Sequence, residues 1–467
     1  MGHRAIGSWD WQRSAMALVL LSSLAASSNV LAVDLIGYLP YYRMNASYNA
    51  NWLPDQLPLL DEIRYFGLTI NSSGVITPLS GSGSLTTHLN RIATIKQAIE
   101  ALPQDQRPRL NVTLGGAGEA ATFAAVAASS TLRTTLAQNV DALLDQTGAT
   151  SIDTDWEHPN NNTELNNYSL MLQRIKQEVG ADRRVYATVD PIKFVPQSVF
   201  SGENAIDGIS LMTYELAWWS NDPADLNRGE HSLPEHASDS VEAWTEPAGS
   251  PNQRPWVFAS WGKNADPANL GIGLPFFGRG IGTVQSPQGG TAYTYSELAA
   301  GGTTSDGNYY NYQGQTVWIP GPDLVEQRVQ YAHDLGLQDI IIWEIAQDLH
   351  PDNANSLLRR AYEKNQSFIP ILVPGDYDGN GTVGAEDYDL WKLSFGATSG
   401  DMRADGNEDG IVDAVDYTFW RDRTASNFGS GSAASSSVPE PSTAILLCVL
   451  SAFAIPIHRR QGTRSLA

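Results

Sequence analysis

Between residues 33 and 365, short runs rich in β-branched and aliphatic residues alternate with longer stretches rich in Ala and Leu. The strand candidates fall at 34–39, 63–70, 109–114, 151–155, 185–189, 208–212, 269–274 and 339–343. Helices are expected between them, most clearly at 89–102, 132–145, 168–179 and 324–335. Alternation of this kind calls for parallel strands joined by helical crossovers. Eight such units in one domain predict an α/β fold, a (β/α)8 TIM barrel. A doubly wound open sheet is the rival, but no glycine-rich phosphate turn follows the first strand. In a barrel the reactive groups sit at the C-terminal ends of the strands. After the seventh strand the chain runs from about 280 to 320 before resuming the pattern, longer than a strand–helix loop needs. Its aromatic content, including Tyr293-Thr294-Tyr295, predicts a small folded insertion walling one side of the groove.

The fourth strand carries the most informative pattern. Asp153, Asp155 and Glu157 alternate with Thr154 and Trp156, so all three carboxylates project to one face. Trp156 suits the helix-covered face, which turns the acids inward and up toward the mouth. Three stacked acids repel and desolvate one another if all are ionised. Protons must therefore be shared, and the outermost acid, Glu157, is expected to have a raised pKa suited to proton donation near neutrality.

Charge and cysteine content narrow the chemistry. Asp and Glu number 51 against 29 Lys and Arg, a formal net charge of −22. Such a surface repels phosphate backbones and argues against a nucleic-acid partner. An uncharged sugar would be indifferent to it, and 13 Trp and 18 Tyr offer flat faces on which sugar rings stack. The sole cysteine, Cys448, lies in an apolar tail, so the body has no disulfide, no cysteine-based zinc site and no thiol nucleophile.

Both ends read as targeting segments. Arg4 and Arg13 precede or flank an apolar run at 15–26, and Val30-Leu31-Ala32 supplies small residues for cleavage. Residues 1–32 thus read as a secretory signal peptide, with Val33 the first mature residue. A Ser/Gly linker at 426–437 leads to a tail at 438–467 that begins Val438-Pro439-Glu440-Pro441, continues through an apolar stretch and ends with His458-Arg459-Arg460. This order resembles the PEP-CTERM sorting signal of Gram-negative bacteria. The resemblance implies a secreted or cell-surface protein, transient insertion of the tail with its basic flank in the cytoplasm, and an exosortase-type processing partner.

A linker at 366–375 precedes an internal repeat at 376–425. Asp376, Asp378, Asn380, Thr382 and Asp387 are echoed by Asp405, Asn407, Asp409, Ile411 and Asp416, with Gly381 and Gly410 between them. Oxygen ligands at loop positions one, three, five, seven (through the backbone) and twelve, with glycine at six, suit a Ca²⁺ ion. Each loop leads into Tyr-x-x-Trp, as Tyr388 to Trp391 and Tyr417 to Trp420. The pair resembles a type I dockerin, a small α-helical Ca²⁺-loop module, and that resemblance implies structural Ca²⁺ and a cohesin-type partner.

Thr150-Ser151-Ile152-Asp153-Thr154-Asp155-Trp156-Glu157 resembles the DGxDxDxE signature of family 18 glycoside hydrolases, the chitinases, with Thr150 and Ser151 departing from it. Thr113-Leu114-Gly115-Gly116 stands in for SxGG, and Met212-Thr213-Tyr214-Glu215 for MxYD with Glu replacing Asp. Leu274-Pro275-Phe276-Phe277-Gly278-Arg279 is similar to the PFYGR run, Gly37-Tyr38 to the usual opening, and Trp343-Glu344 to the end of the eighth strand. The resemblance covers 33–365. It implies retaining, substrate-assisted hydrolysis of β-1,4-linked N-acetylglucosamine polymers such as chitin, an exception to the two-carboxylate scheme. Glu157 would act as acid and then base. Asp155 would orient the acetamido group, Asp153 would hold a shared proton behind it, and Tyr214 would hydrogen-bond the acetamido group. Trp343 would floor the sugar pocket, with Tyr38, Gly115, Gly116, Met212, Glu215 and Trp218 as further substrate contacts and Trp219 and Asp190 near the mouth. The extra methylene of Glu215 is expected to move its carboxylate outward. No metal or organic cofactor is implied for the chemistry. Two other readings share these motifs: an endo-β-N-acetylglucosaminidase acting on N-glycans or peptidoglycan, and a lectin-like protein that binds chitin without cutting it.

Overall fold

The computed structural model describes residues 32–191, 193, 195–215, 241, 265–280, 292–304, 306–368, 375–378, 383–398, 402–407 and 409–427. The expected signal segment before residue 32, Trp218, Trp219, Asn380, Thr382, much of both linkers and the sorting tail lie outside the described residues. The chain divides into two compact units, Met1–Ile369 and Pro370–Ala467.

In the first unit the strands in chain order are β1 (Asp34–Pro40), β2 (Glu62–Ile70), β3 (Ile76–Pro78), β4 (Arg109–Ala117), β5 (Ser151–Glu157), β6 (Arg184–Val189) and β7 (Gly208–Leu211). They continue with β8 (Leu270–Pro275), β9 (Phe277–Gly280), β10 (Ala292–Thr294), β11 (Thr303–Thr304), β12 (Tyr309–Tyr312), β13 (Gln315–Trp318) and β14 (Asp339–Trp343). Parallel neighbours run β1-β14-β8-β7-β6-β5-β4-β2, and β2 pairs back to β1, closing an eight-stranded barrel; β3 adds antiparallel to β2. The eight expected strands are the barrel strands. Beyond β8, the strands β9 to β13 form a separate antiparallel sheet with the helix Tyr295–Gly301, the insertion read from the aromatic segment.

Helices Leu85–Glu100, Ser130–Thr147, Asn162–Val179 and Pro322–Asp334 begin two to six residues before the starts read from apolar periodicity. The cause is local chemistry. Ser84, Ser129 and Asn161 each accept a backbone N–H from the first turn, and Pro322 opens the last of the four. These caps add polar turns to the front of each helix that the apolar pattern does not register.

The barrel places side chains of β5 on two faces. Trp156 is fully buried outside the barrel, stacked on Phe123 (centroids 6.0 Å apart) and edge-on to Tyr168 at 5.2 Å. Thr154 joins it there through its hydroxyl, 2.9 Å from that of Tyr168. Asp153 and Asp155 face the other way, into the barrel. Burying Trp156 under the helices Ala120–Ala128 and Asn162–Val179 therefore fixes which way the acids point.

In the second unit two helices, Ala385–Ser394 and Ala414–Asn427, pack through a small core of Tyr377, Ala404 and Val412. The two halves brace each other symmetrically. Trp391 Nε1 donates to the Asp413 carbonyl at 2.8 Å, and Trp420 Nε1 to the Gly384 carbonyl at 2.5 Å. Among the described residues no helix is long and apolar enough to cross a membrane.

Candidate active site

An open cavity of about 590 Å³ lies at the C-terminal ends of the barrel strands. Asp155 and Glu157 reach it from β5, Tyr38 from β1, Thr188 and Asp190 from the end of β6, and Trp343 from the end of β14. Met212, Tyr214 and Glu215 enter from the loop after β7, Phe277 and Arg279 from β9, with His158 and Gln347 on the rim. Trp343 stands edge-on to Phe66, with ring centroids 5.1 Å apart, and tilted against Tyr38 at 5.4 Å, so its indole is held in one orientation.

The acids differ by depth. Asp153 is fully buried and accepts from Tyr38 (2.8 Å) and Thr113 (3.1 Å) on Oδ2, and from Thr188 (3.1 Å) on Oδ1. Asp155 is buried with Oδ1 lacking a partner, while its carboxyl shares a hydrogen bond with Glu157. Burial first, then the charges of Glu157 and Asp153, push the Asp155 carboxyl well above the usual carboxylate range. Burial and the charge of Glu215 push Glu157 up to about 7. Two raised carboxyls joined by a hydrogen bond are the arrangement of a general acid with an acceptor behind it. Burial, Asp155 and Glu157 also push the Tyr214 hydroxyl well up, so it remains a donor.

Glu215 is drawn to Arg279, whose Nε donates to Oε1 at 2.9 Å. The longer carboxylate is thus anchored on the cavity wall by a cation.

The sequence profile for "Glycosyl hydrolases family 18" matches residues 37–348. The chain belongs to this family. It is accordingly a glycoside hydrolase of the chitinase-like kind. Among curated relatives, Endochitinase 1 of Metarhizium robertsii is 22% identical over 386 residues, covering 72% of this chain and 89% of that protein. Nod factor hydrolase protein 1 of Medicago truncatula is 25% identical over 297 residues, covering 57% and 73%. Solved structures share the fold: a family 18 chitinase from the chitin utilization locus of Flavobacterium johnsoniae aligns with a TM-score of 0.52 at 18% identity, over 72% of this chain and 95% of its own. A chitinase-like agglutinin from Robinia pseudoacacia aligns with a TM-score of 0.52 at 18% identity, over 70% and 98%.

Of the residues singled out in the sequence, Tyr38, Asp155, Asp190, Met212, Tyr214, Glu215, Trp343 and Glu157 line the cavity of this family 18 hydrolase. Asp153 sits beneath it. Gly115 and Gly116 do not line it; they are buried in β4, and their place in the motif has a backbone cause. A Cβ on Gly115 would lie 2.1 Å from the Asp155 carbonyl oxygen, and one on Gly116 would lie 2.6 Å from the Phe66 ring. Both also take positive φ, at 125° and 107°. Sequence reading passed over Arg64, Thr188, His158 and Gln347. For Arg64 a signal was there: Glu62 and Arg64 are the two charged residues, two apart, of a strand that is buried along its whole length.

In the second unit, ligand oxygens of Asp376, Asp378 and Asp387 lie within 4.8 Å of one another. Asp387 is fixed by the N–H groups of Tyr377 (2.6 Å), Asp378 (2.9 Å) and Gly384 (2.7 Å). Asp416 in the second loop takes the N–H groups of Gly406 (2.8 Å) and Asp413 (2.7 Å) in the same way. There Asp405 accepts from Asp409 (3.2 Å) and Gly410 (2.8 Å), Asn407 Oδ1 from Asp409 (3.2 Å), and Ile411 N donates to Asp409 (3.0 Å). These hard oxygen donors in a tight loop fit the preference of Ca²⁺.

Proposed function

We propose that this chain hydrolyses β-1,4-linked N-acetylglucosamine polymers with retention, the substrate's own acetamido oxygen serving as nucleophile. The observation that carries it is the Asp155–Glu157 pair, hydrogen-bonded and opening into the same cavity as Tyr214 and Trp343. Glu157 donates its proton to the glycosidic oxygen as the bond to the anomeric carbon breaks. Asp155 accepts the acetamido N–H, Tyr214 donates to the acetamido oxygen, and that oxygen closes on the anomeric carbon as an oxazolinium ion. Glu157, now a carboxylate, takes a proton from the water that opens the ring on the same face. Trp343 stacks beneath the sugar, and Met212 and Glu215 lie along the groove. This chemistry needs no metal or organic cofactor. The two Ca²⁺ loops serve as a structural dockerin-like module for a cohesin-type partner. The leader-like and sorting-signal-like segments support a cell-surface location, with an exosortase-type enzyme acting on the tail.

The test is a hexamer of N-acetylglucosamine beside its fully deacetylated counterpart, followed by proton NMR of the freshly formed anomers. The β anomer should appear first from the acetylated chain, and the deacetylated chain should resist cleavage. An α anomer first, or equal cleavage of both chains, would defeat the mechanism.

A further inference from the structure

Beneath the cavity the barrel interior holds a cation that the proposed chemistry does not use. Arg64, on β2, is 0% exposed. A buried guanidinium is stable only with anions and acceptors arranged around it. Its neighbour Glu62 takes Nε at 2.9 Å but does not neutralise it alone. The same carboxylate also accepts from Asn111 (3.0 Å) and Ser151 (2.9 Å) and lies 3.4 Å from Nε of a second cation, Arg109. Asp339 faces Arg64 from β14, but burial pushes its carboxyl up to about 7 despite a 2.9 Å bond from Ser210. Tyr186 offers only its ring, 4.7 Å from the guanidinium carbon.

The remaining partner is Asp153. Arg64 Nη1 lies 3.5 Å from its Oδ1, and also donates to Tyr38 Oη at 3.0 Å and to Thr188 Oγ1 at 3.3 Å. A guanidinium has donors and no acceptor. Each hydroxyl must therefore receive Arg64 on a lone pair, which leaves its own proton free to point elsewhere. Tyr38 and Thr188 reach Asp153 Oδ2 and Oδ1 but also lie 2.6 Å from each other. Their two protons serve three contacts, so at least one of them points at Asp153, where Thr113 adds another. Asp153 is surrounded by donors. Its neighbour Asp155 is the opposite case, with one oxygen bare and the other turned to Glu157.

We infer that Arg64 is a positioning residue: acting through Tyr38 and Thr188, it turns a hydroxyl proton of that pair toward Asp153, keeps that carboxylate an acceptor, and confines the site's shared proton to Asp155 and Glu157. This reading differs from the expectation that Asp153 itself holds the shared proton. The kinetic arm of the test rests on the proposed role of Glu157; the spectroscopic arm does not.

In the kinetic arm, Arg64→Gln and Arg64→Lys are compared with wild type by the pH profile of kcat/KM on the N-acetylglucosamine hexamer. Losing a cation makes every carboxyl of the cluster bind its proton more readily, so both limbs should move to higher pH by about one unit in Arg64→Gln. Arg64→Lys keeps the charge and should keep the limbs in place, which a purely structural role would not produce. A folded Arg64→Gln with unmoved limbs overturns the assignment. In the spectroscopic arm, which needs no turnover and no Arg64 variant, the wild-type protein is labelled with ¹³C at its aspartate carboxyls, and the Asp153 signal is identified by its loss in Asp153→Asn. At neutral pH the Asp153 signal should have the shift of an ionised carboxylate. An Asp153 signal with the shift of a protonated carboxyl also overturns it.

Discussion

Arg279 Nε donates to Glu215 Oε1 at 2.9 Å, on the wall of the cavity that contains Glu157. After burial, the Glu215 charge is the largest influence holding the Glu157 carboxyl up at about 7. Glu215→Gln deletes that charge, so Glu157 should lose its proton at lower pH. The alkaline limb of kcat/KM should then move to lower pH by about one unit. Glu215→Asp retains the charge and should leave the limb where it is. A limb that stays or rises in Glu215→Gln contradicts this assignment.

Glu157→Gln removes the proton that the proposed mechanism gives to the leaving oxygen. Turnover of the hexamer should fall by about a thousandfold or more. Circular dichroism should be unchanged, because Glu157 sits at the open end of β5 and Trp156 anchors the strand from the other face. Retained turnover in a folded variant would remove Glu157 from its role.

The barrel was legible because strand periodicity and helix alternation are local signals, and Trp156 alone tells which face of β5 is covered. The helix starts were less so, since capping by Ser84, Ser129 and Asn161 lies upstream of the apolar pattern. The cavity acids were legible as an alternating run, and Tyr214 and Trp343 as motifs. What did not show was connection across the barrel. Tyr38 lines the cavity, and its hydroxyl is also bound to Asp153 and Thr188, residues 115 and 150 positions away. Arg64 belongs to that network, and no local pattern joins β1, β2, β5 and β6. Gly115 and Gly116 stood out as a motif, but only the register of β4 against β5 shows that their small size serves the backbone of Asp155 and the ring of Phe66.

The second unit yields a metal prediction. Asp376, Asp378 and Asp387 bring three carboxylates together, and a cation bound between them would relieve their repulsion. Ca²⁺ added to chelator-treated full chain should bind in calorimetry and change the tryptophan fluorescence. The reporters are Trp391 and Trp420, each hydrogen-bonded into the opposite repeat. Asp387→Asn together with Asp416→Asn should abolish the response, since both side chains organise their loops through backbone N–H groups. A fluorescence signal indifferent to chelator and Ca²⁺ would rule the loops out as Ca²⁺ sites.

Gly115→Ala tests how the third and fourth barrel strands set the position of Asp155. Gly115 has a φ of 125°, which an L side chain resists, and the new Cβ would meet the Asp155 carbonyl oxygen at 2.1 Å. That contact is with backbone, so no side-chain rotation relieves it; β4 and β5 must separate where Asp155 and Glu157 leave the strand. Gly118→Ala is the matched control, with a φ of 94° and nothing within 4 Å of its Cβ. Strain alone should cost the control about 1–3 kcal/mol and leave turnover intact. Gly115→Ala should lose more stability in thermal unfolding. It should also lower kcat on the hexamer about tenfold or more, because misplacement on the scale of an ångström at a reacting group is costly. Equal loss of stability and equal turnover in the two variants would show that the close approach of Gly115 to Asp155 does not position the acid pair.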